Sequence, residues 1–593
     1  MTARERFRKT FSELSKAICR SESVEPARKA ITRFLFRCED NLARSGADDP
    51  APLDYYVALS CTRVIGNLIA PRNESRAGHS TVELIRKSLC EKSDDAHATN
   101  EAFWQDILHL FLGATGRSNV YGSVDAPDFL QLSGRDAGRT RSKELDRLAA
   151  TVGKSMARFP CGLDARIQAT REENRRRILS VLGGSASDWN SHRWQLTHLI
   201  RDAETLGSIV RLTAEERESI TLARRHHLPF AITPYYASLM DRDHHRKRDH
   251  AVRAQVIPPM DYVAKMISSR GDTAAGVDYM GEGDTSPVDL VTRRYPQIAI
   301  FKPFNTCAQI CVYCQRNWEI DDAMQPGALA SKDKIADALA WFRREKMLEE
   351  VLITGGDPLM LPDKTLGAIL KEFAAMKHIQ RIRIGSRAPV VLPMRFSAAL
   401  LRVFRRFHRH PQQLALMTHC EHPYEITPAM RDAVAAVRDI GIGVYNQQVF
   451  TIENSRKFET AALRRALKSV GIDPYYTFGV LGKQETDYYR VPIARILQER
   501  KEEARLIPGV VRTDEPVINL PRLGKNYLRA GQDHIVIALR PDGSRVYEFL
   551  PWEKNLYPSP TSLYLDVPIF DYLERLKALG EDPSDYANIY YYF

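Results

Sequence analysis

The feature that most constrains the fold is a regular alternation of two kinds of segment between residues 297 and 480. Apolar, extended segments fall near residues 297–303, 350–354, 380–385, 413–418, 442–450 and 475–480. Helix-like segments separate them near residues 332–346, 363–376, 396–408, 427–439 and 456–469. Strands that alternate with helices predict βα units and a parallel sheet. We therefore expect an α/β fold here, with functional residues at the carboxyl ends of the strands.

Three cysteines are crowded into the loop after the first of these strands. Cys307, Cys311 and Cys314 form a C-x3-C-x2-C run, and the next five positions contain no fourth cysteine. Thiolates are soft ligands, and one loop with this spacing can hold three corners of a cubane iron–sulfur cluster. The fourth iron is then left for a small molecule. The alternatives are ordinary buried thiols or a zinc site completed by His419, although zinc loops usually contain a second cysteine pair.

Composition limits the class of protein. The chain has 593 residues and 44% hydrophobic residues, enough for two or more domains. A net charge of +11 over this length indicates a solvated basic surface and does not point to nucleic acid. Nine scattered cysteines argue against a disulfide framework. With no apolar signal core and no long apolar run, these features predict a soluble cytoplasmic protein without membrane segments.

The motifs around the cysteines occur in an order that is typical of one family. They are Trp189–Leu196, Ile232–Asp241, Arg253–Pro259, Asp284–Pro287 and Arg294–Pro296. From Trp189 to the 540s the chain resembles the lysine 2,3-aminomutase family of radical S-adenosylmethionine (radical SAM) enzymes, which also use pyridoxal phosphate (PLP). The resemblance leaves out the first 187 residues. It implies a partial (β/α)6 TIM-type radical SAM barrel, with an α-helical N-terminal region and a small C-terminal segment that contains a hairpin.

Four segments are expected from this reading. Residues 1–187 form a helical accessory region, residues 188–293 a helical lead-in, residues 294–500 the barrel, and residues 501–593 the PLP-lysine loop and C-terminal segment. Apolar runs at 535–539 and 545–549 flank an Arg-Pro-Asp-Gly-Ser turn and predict the hairpin. The aromatic tail Tyr590–Phe593 indicates a docked terminus, either at a subunit interface of a homo-oligomer or within the chain.

Residues at successive strand ends are the candidate cofactor ligands. Gly355, Gly356 and Asp357 follow the second strand, where two residues without side chains allow a close approach to the backbone. The triplet resembles the family element that contacts the amino group of SAM. Ser386-Arg387 follows the third strand and His419 the fourth. His419 and His422 match the family's THxxHP segment near the cluster and SAM, and Gln447 matches a residue expected near SAM.

The resemblance also assigns the PLP and substrate residues. Lys525 matches the lysine that carries PLP, although the glycine run before it is one residue shorter than in the family. A lysine amine in a suitable environment can hold PLP covalently. Arg294 and Tyr295 match residues near the PLP phosphate and ring. Arg316, two residues after Cys314, matches the arginine that binds the substrate carboxylate, a task that suits a planar guanidinium.

The substrate side chain is where the sequence departs from the lysine enzyme. The two positions at which that enzyme has aspartates are Leu481 and Asn519 here. Leucine cannot pair with the ammonium group of lysine, and an unpaired buried charge is costly. Lysine is therefore not the expected substrate. Glutamate, with Lys483 nearby, and a neutral amino acid both remain open.

The resemblance implies a 2,3-aminomutase that uses a [4Fe–4S] cluster, SAM and PLP, with an amino acid as its small-molecule substrate. The α-amino group would move to the β-carbon after a 5′-deoxyadenosyl radical removes a hydrogen. An external electron donor of the flavodoxin or ferredoxin type would reduce the cluster. Two alternatives stay open: a radical SAM enzyme that modifies RNA or protein, and a family member that has lost PLP-dependent catalysis.

Overall fold

The computed structural model describes residues 1–44, 52–90, 99–120, 127–243, 245, 247–269, 278–316, 319–529, 533–551 and 560–593. The chain divides into two compact units. We call Met1–Gly153, Arg490–Leu506 and Asn526–Phe593 the terminal unit, and Lys154–Tyr489 with Ile507–Lys525 the barrel unit. This division places the N-terminal helices with the last part of the chain, and the lead-in with the barrel.

The N-terminal part of the terminal unit is helical. Its helices are α1 Ala3–Thr10, α2 Ser12–Cys19, α3 Val24–Arg44, α4 Pro52–Leu68, α5 Pro71–Ala77, α6 Thr81–Cys90, α7 Glu101–Ala114 and α8 Gly134–Met156, which runs into the barrel unit. Asn100 caps α7 by accepting a hydrogen bond from the backbone N–H of Phe103 at 3.0 Å. Phe103, Trp104, Ile107 and Phe111 of α7 are buried, and the N-terminal region is helical as expected.

Helices also make up most of the barrel unit ahead of its sheet. They are α9 Ala165–Leu182, α10 Ala186–Trp189, α11 His192–Thr197, α12 Ala203–Ile209, α13 Ala214–Arg225, α14 Pro234–Ala237, α15 His250–Ala254 and α16 Met260–Ser269. Thr213 and Glu216 form a reciprocal capping box at the start of α13. The helix therefore begins where the Thr-Ala-Glu-Glu sequence predicts.

A nine-stranded sheet forms the core of the barrel unit. Its strands are β1 Val291–Thr292, β2 Ile298–Phe304, β3 Glu350–Gly355, β4 Arg381–Gly385, β5 Gln413–Thr418, β6 Gly443–Phe450, β7 Asp473–Gly479, β8 Glu515–Leu520 and β9 Gly524–Tyr527, whose last two residues belong to the terminal unit. Strands β2 to β8 are parallel in sequence order, and β1 is antiparallel to β2. The six predicted strands are confirmed as β2 to β7, and β8 extends the parallel sheet beyond them.

Helices cover the sheet between its strands. They are α17 Lys332–Arg344, α18 Asp363–Ala374, α19 Ala388–Val391, α20 Ala398–Phe407, α21 Pro428–Arg438 and α22 Glu459–Ser469. Phe301 of β2 packs against Phe342 of α17 and Phe373 of α18, with ring centroids 6.1 Å and 5.5 Å away. The strand-helix alternation and the curled parallel sheet agree with the expected partial barrel.

The C-terminal part of the terminal unit contains α23 Ile493–Gln498, β10 His534–Leu539, β11 Arg545–Phe549, β12 Ser562–Leu565 and α24 Ile569–Ala578. Strands β10 and β11 form the predicted antiparallel hairpin, and β12 adds a third strand. The aromatic tail docks within the chain, because the Tyr590 ring stacks on His109 of α7 at 4.1 Å. Among the described helices, none is long and apolar enough to cross a bilayer.

One buried ion pair ties the two ends of the chain together in the terminal unit. Arg545 donates to both carboxylate oxygens of Asp106 at 2.9 Å and 2.7 Å, and both side chains are buried. Replacing Asp106 with Ala leaves a buried guanidinium uncompensated, so we expect the free energy of unfolding to fall by about 3–5 kcal/mol in urea titrations. The control Asp40→Ala removes an exposed ion pair with Arg44 and should change the free energy of unfolding by at most about 0.5 kcal/mol. Equal effects of the two variants would contradict this account.

Candidate active site

The three cysteines lie close together in the loop after β2. Burial raises the pKa of the Cys307 thiol well above its ordinary value, and the charges of Asp357, Cys314 and Cys311 raise it further. Burial also raises the pKa of Cys311, with a further contribution from Cys314. Such mutual repulsion between thiolates is relieved when they share a metal centre that carries positive charge. The sulfurs therefore fit a shared cluster.

The cysteine loop has no regular structure of its own, and its backbone is paired with the lead-in. The N–H of Ile310 donates to the carbonyl of Ala231 at 3.1 Å, and the N–H of Val312 donates to the carbonyl of Gln255 at 2.8 Å. Both acceptors lie beside or within the motifs that carry the family resemblance. Those motifs thus hold the loop in place.

The Gly-Gly-Asp element packs against the backbone that leads into the cysteines. Gly355 has φ +119°, and a Cβ there would lie 2.5 Å from the Phe304 carbonyl oxygen. A Cβ on Gly356 would collide with the backbone of Thr306. The N–H of Asp357 donates to the Thr306 carbonyl at 2.9 Å. The two glycines are therefore required by a close contact between backbones of the protein itself.

The Asp357 side chain joins this element to the end of β4. Its Oδ2 accepts hydrogen bonds from Ser386 Oγ and from the backbone N–H of Arg387, both at 3.0 Å. Its Oδ1 accepts the N–H of Leu359 at 3.0 Å. Burial nonetheless raises the pKa of this carboxyl, although these hydrogen bonds act in the opposite direction.

His419 directly follows β5 and Gln447 lies within β6, and the two residues are in contact. The His419 imidazole is hydrogen-bonded to the backbone of Gln447, and burial, assisted by the charge of Arg387, lowers its pKa to about 4. The ring is therefore neutral at physiological pH. No described contact connects it to the cysteine sulfurs as a zinc ligand.

A buried carboxylate that sequence reasoning missed organises the cations near the cysteines. Glu282 lies 2.8 Å from Arg316, 2.5 Å from Lys302 and 3.9 Å from Arg294. Burial opposes its ionisation, but Arg316 and Lys302 outweigh burial and lower the pKa of Glu282. Arg316 also pairs with Glu319. No sequence signal marks Glu282 as a partner of Arg316, because 34 residues separate them.

This group has donors to spare for an anion. Within the described residues, the Nε atoms of Arg294 and Arg316 are buried and have no hydrogen-bond partner. A buried guanidinium N–H without an acceptor is costly unless a ligand supplies one. Carboxylate and phosphate oxygens are the acceptors that match its geometry. The cation group thus fits both the substrate carboxylate and the PLP phosphate.

Lys525 sits among aromatic rings at the edge of the sheet. Its Nζ lies 5.1 Å from the ring centroid of Tyr295, 4.9 Å from that of Tyr476 and 6.0 Å from that of Phe478. Burial lowers the pKa of the amine to about 8, and the charges of Arg383 and Arg294 contribute. The hydroxyl of Tyr295 accepts the backbone N–H of Lys525 at 2.8 Å. The predicted trio of Arg294, Tyr295 and Lys525 is therefore assembled in the structure.

Gly524 explains how the shortened glycine run still presents this lysine. Its φ is +78°, and a Cβ there would lie 2.5 Å from the Tyr295 hydroxyl oxygen. The single glycine kept before Lys525 is thus the one that the Tyr295 contact requires.

The predicted substrate residues are less directly connected to Lys525. Leu481 follows β7, the strand that carries Tyr476 and Phe478, and Asn519 lies in β8. Within the described residues, neither forms a hydrogen bond or ion pair with Lys525. Lys483 is buried and pairs with Glu485 at 3.2 Å.

A second group of possible metal ligands lies in the barrel unit but suits hydrogen bonding better. His250, His422 and Glu459 are buried, with ligand atoms within 4.8 Å of one another. The backbone N–H of Tyr424 donates to Nδ1 of His422 at 3.0 Å, so that nitrogen carries no proton. The proton must then sit on Nε2, which faces Glu459 at 3.1 Å. A metal on Nε2 would displace this proton, and the hydrogen bond recorded in the group is that between His250 Nε2 and Glu459 Oε1 at 2.8 Å.

Fold and cysteine loop together define the class of protein. The chain is a radical SAM protein, and residues 301–495 match the family model described as the Radical SAM superfamily. The chain belongs to the KamA family, the family of the lysine 2,3-aminomutases. This chain is a radical SAM enzyme related to the 2,3-aminomutases, which are isomerases. KamA-type enzymes use a [4Fe–4S] cluster, SAM and PLP.

The relatives divide by how much of the chain they match. An uncharacterized KamA family protein of Methanocaldococcus jannaschii is 41% identical over 98% of this chain and 96% of its own length. The glutamate 2,3-aminomutase of Clostridioides difficile is 32% identical over 53% of this chain and 70% of its own length. The L-lysine 2,3-aminomutase of Methanococcus maripaludis is 31% identical over 52% of this chain and 69% of its own length.

The glycine contacts generate a prediction about cluster assembly. In Gly356→Ala the new Cβ meets backbone atoms of Thr306 that cannot yield cheaply, so the cysteine loop must shift and most of the bound iron should be lost. The control is Gly367→Ala in α18, where the nearest atom to the Cβ, Val403 Cγ1, is 3.7 Å away. Iron content and visible absorption after anaerobic reconstitution are the measurements. Full iron in Gly356→Ala would show that the backbone contact does not position the loop.

Proposed function

We propose that this protein is a PLP-dependent amino-acid 2,3-aminomutase that moves an α-amino group to the β-carbon of a substrate other than lysine. The observation that carries the proposal is the environment of Lys525, a buried amine with a lowered pKa, surrounded by aromatic rings beside Arg294. A covalent PLP lysine needs both features, because the neutral amine is the nucleophile and an aromatic wall accommodates a planar ring.

The neighbouring cations support the assignment of the two anionic groups. In the proposal, Arg294 faces the PLP phosphate and Arg316 the substrate carboxylate. Lys302 and Glu282 hold the two guanidinium groups in position, since Glu282 lies within ion-pair distance of all three cations. When bound, the cofactors supply a carbon radical and an electron sink. In the proposal, the residues of the chain bind and orient the substrate.

The residues at the substrate side-chain end support a neutral substrate more than a charged one. Leu481 offers no partner for an ammonium group. Lys483 pairs with Glu485 at 3.2 Å, so the pair adds no net positive charge that would favour a side-chain carboxylate of the substrate. A neutral amino acid is therefore the preferred substrate class, and glutamate is the second candidate. We further propose a cytoplasmic location and an external flavodoxin- or ferredoxin-type electron donor.

The amine of Lys525 should capture PLP with a characteristic pH dependence. Only the neutral amine reacts, and its pKa is lowered from 10.5 to about 8, so capture by the apoenzyme should rise between pH 7 and 9 and then level off. In Arg383→Gln the loss of a nearby positive charge should move the midpoint upward. The measurement is PLP absorbance with pH, followed by borohydride reduction and mass spectrometry of the labelled peptide.

Lys302 provides the matched control for this experiment. It is a second buried lysine of the barrel unit with a pKa lowered by burial and by Arg316. Lys302→Arg should keep PLP on Lys525, whereas Lys525→Arg should lose the label. A label on Lys302 in the wild-type enzyme, or no label at all, would overturn the PLP assignment. The latter result would favour a family member that has lost PLP-dependent catalysis.

The substrate is tested with a panel of amino acids. Reconstituted enzyme with SAM, reductant and PLP should convert a neutral amino acid, or glutamate, to its β-amino isomer, and should leave lysine unchanged. The variant Leu481→Asp should raise kcat/KM for lysine about 100-fold over Leu481→Asn, because a new carboxylate is worth about 3 kcal/mol to an otherwise unpaired ammonium group. SAM cleavage without any β-amino product would favour an enzyme that modifies RNA or protein.

A further inference from the structure

The guanidinium of Arg387 lies directly against one of the three cysteine sulfurs. This residue follows β4, and its Nη1 donates a hydrogen bond to Cys311 Sγ at 2.8 Å. Its Nε donates to the carbonyl of His419 at 3.1 Å. Its Nη2 reaches Glu425 at 2.8 Å and the hydroxyl of Tyr236 at 3.2 Å, and it also contacts Gln255. One side chain thus links the cysteine loop to β5 and to two segments of the lead-in.

The partners of Arg387 leave it little freedom to turn away from the sulfur. Glu425 is fully buried, and its Oε1 also accepts hydrogen bonds from the Tyr236 hydroxyl at 2.8 Å and from Gln255 Nε2 at 3.1 Å. Its Oε2 accepts the backbone N–H groups of Glu421 and His422 at 2.5 Å and 3.1 Å. Both carboxylate oxygens are therefore saturated and fixed, and the guanidinium that they anchor is fixed with them.

The contact distinguishes Cys311 from the other two cysteines. Within the described residues, Cys314 Sγ accepts a backbone N–H, that of Arg316, at 3.4 Å. Among the side chains that the structure describes, none donates a hydrogen bond to the sulfur of Cys307 or Cys314. The charge-assisted contact is thus placed on one corner of the expected cluster, the corner held by Cys311.

We propose that Arg387 is a positioning residue that tunes the cluster through Cys311. A positively charged N–H donor withdraws electron density from the thiolate and stabilises the additional electron of the reduced cluster, which raises its reduction potential. In the protein, Arg387 brings the cluster within reach of its electron donor and keeps Cys311 in a fixed orientation. The proposal rests on the cluster of a radical SAM protein, and it does not depend on PLP or on the aminomutase reaction.

The experiment measures the reduction potential of the reconstituted cluster in the absence of SAM, PLP and amino acid. In Arg387→Gln the ratio of reduced to oxidised cluster at a fixed potential should fall at least tenfold, which corresponds to a downward shift of about 59 mV for a one-electron couple. Arg387→Lys keeps the positive charge but lacks the forked set of N–H donors. Its reduction potential should therefore lie between those of wild type and Arg387→Gln. The matched control is Tyr236→Phe, which removes a partner of Arg387 but leaves the bond to Cys311, and its potential should equal that of the wild type.

The proposal is overturned if the potential of Arg387→Gln equals that of Tyr236→Phe and of wild type. If SAM binding to Arg387→Gln is also weakened, Arg387 is assigned to the SAM molecule instead. If Arg387→Gln assembles no cluster, the reduction potential of Arg387→Lys is the deciding measurement. A potential equal to that of wild type in Arg387→Lys rejects the proposal. The aminomutase assignment can fail in the amino-acid panel while this result stands, so the two failures are distinguishable.

Discussion

The site depends on how an irregular, buried loop satisfies its backbone hydrogen bonds. The loop that carries the three cysteines has no helix or strand of its own, so its N–H groups need partners from elsewhere. Ala231 and Gln255 supply carbonyls to Ile310 and Val312, and Thr306 accepts the N–H of Asp357. These bonds hold the loop to the lead-in and to the Gly-Gly-Asp element. They explain why segments far ahead of the barrel strands carry recognisable motifs, since each is part of the frame that presents the sulfurs.

The same region concentrates positive charge in two buried groups. In one, Arg387 is anchored by Glu425 and directed at Cys311; in the other, Glu282 gathers Arg294, Lys302 and Arg316. Each group holds its carboxylate in the interior by surrounding it with donors, which offsets the cost of burial. Arg294 belongs to the second group and also lowers the pKa of Lys525. The carboxylates position the cations, and the cations act on the cofactor residues.

The sequence predicts those features whose pattern lies within a short stretch of the chain. Strands β2 to β7, the hairpin and the cysteine loop depend on periodicity and spacing within short windows, and all of them are found. Strand β8 was missed because it lies in an irregular stretch and is recognised by pairing with β7. Glu282 was missed and Arg387 noted only as a strand-end residue, because their roles arise from partners 34 and 76 residues away.

The N-terminal helices are part of the fold that carries the last segment of the chain. Asp106 of α7 and Arg545 of β11 are 439 residues apart and form a buried ion pair, and the aromatic tail stacks on His109 of the same helix. Residues that follow Lys525 belong to this unit. A relative that matches nearly the whole chain therefore shares the unit, whereas the lysine and glutamate aminomutases match about half of the chain. The N-terminal helices therefore contribute to the core around β10 and β11, and Asp106 of α7 pairs the buried charge of Arg545.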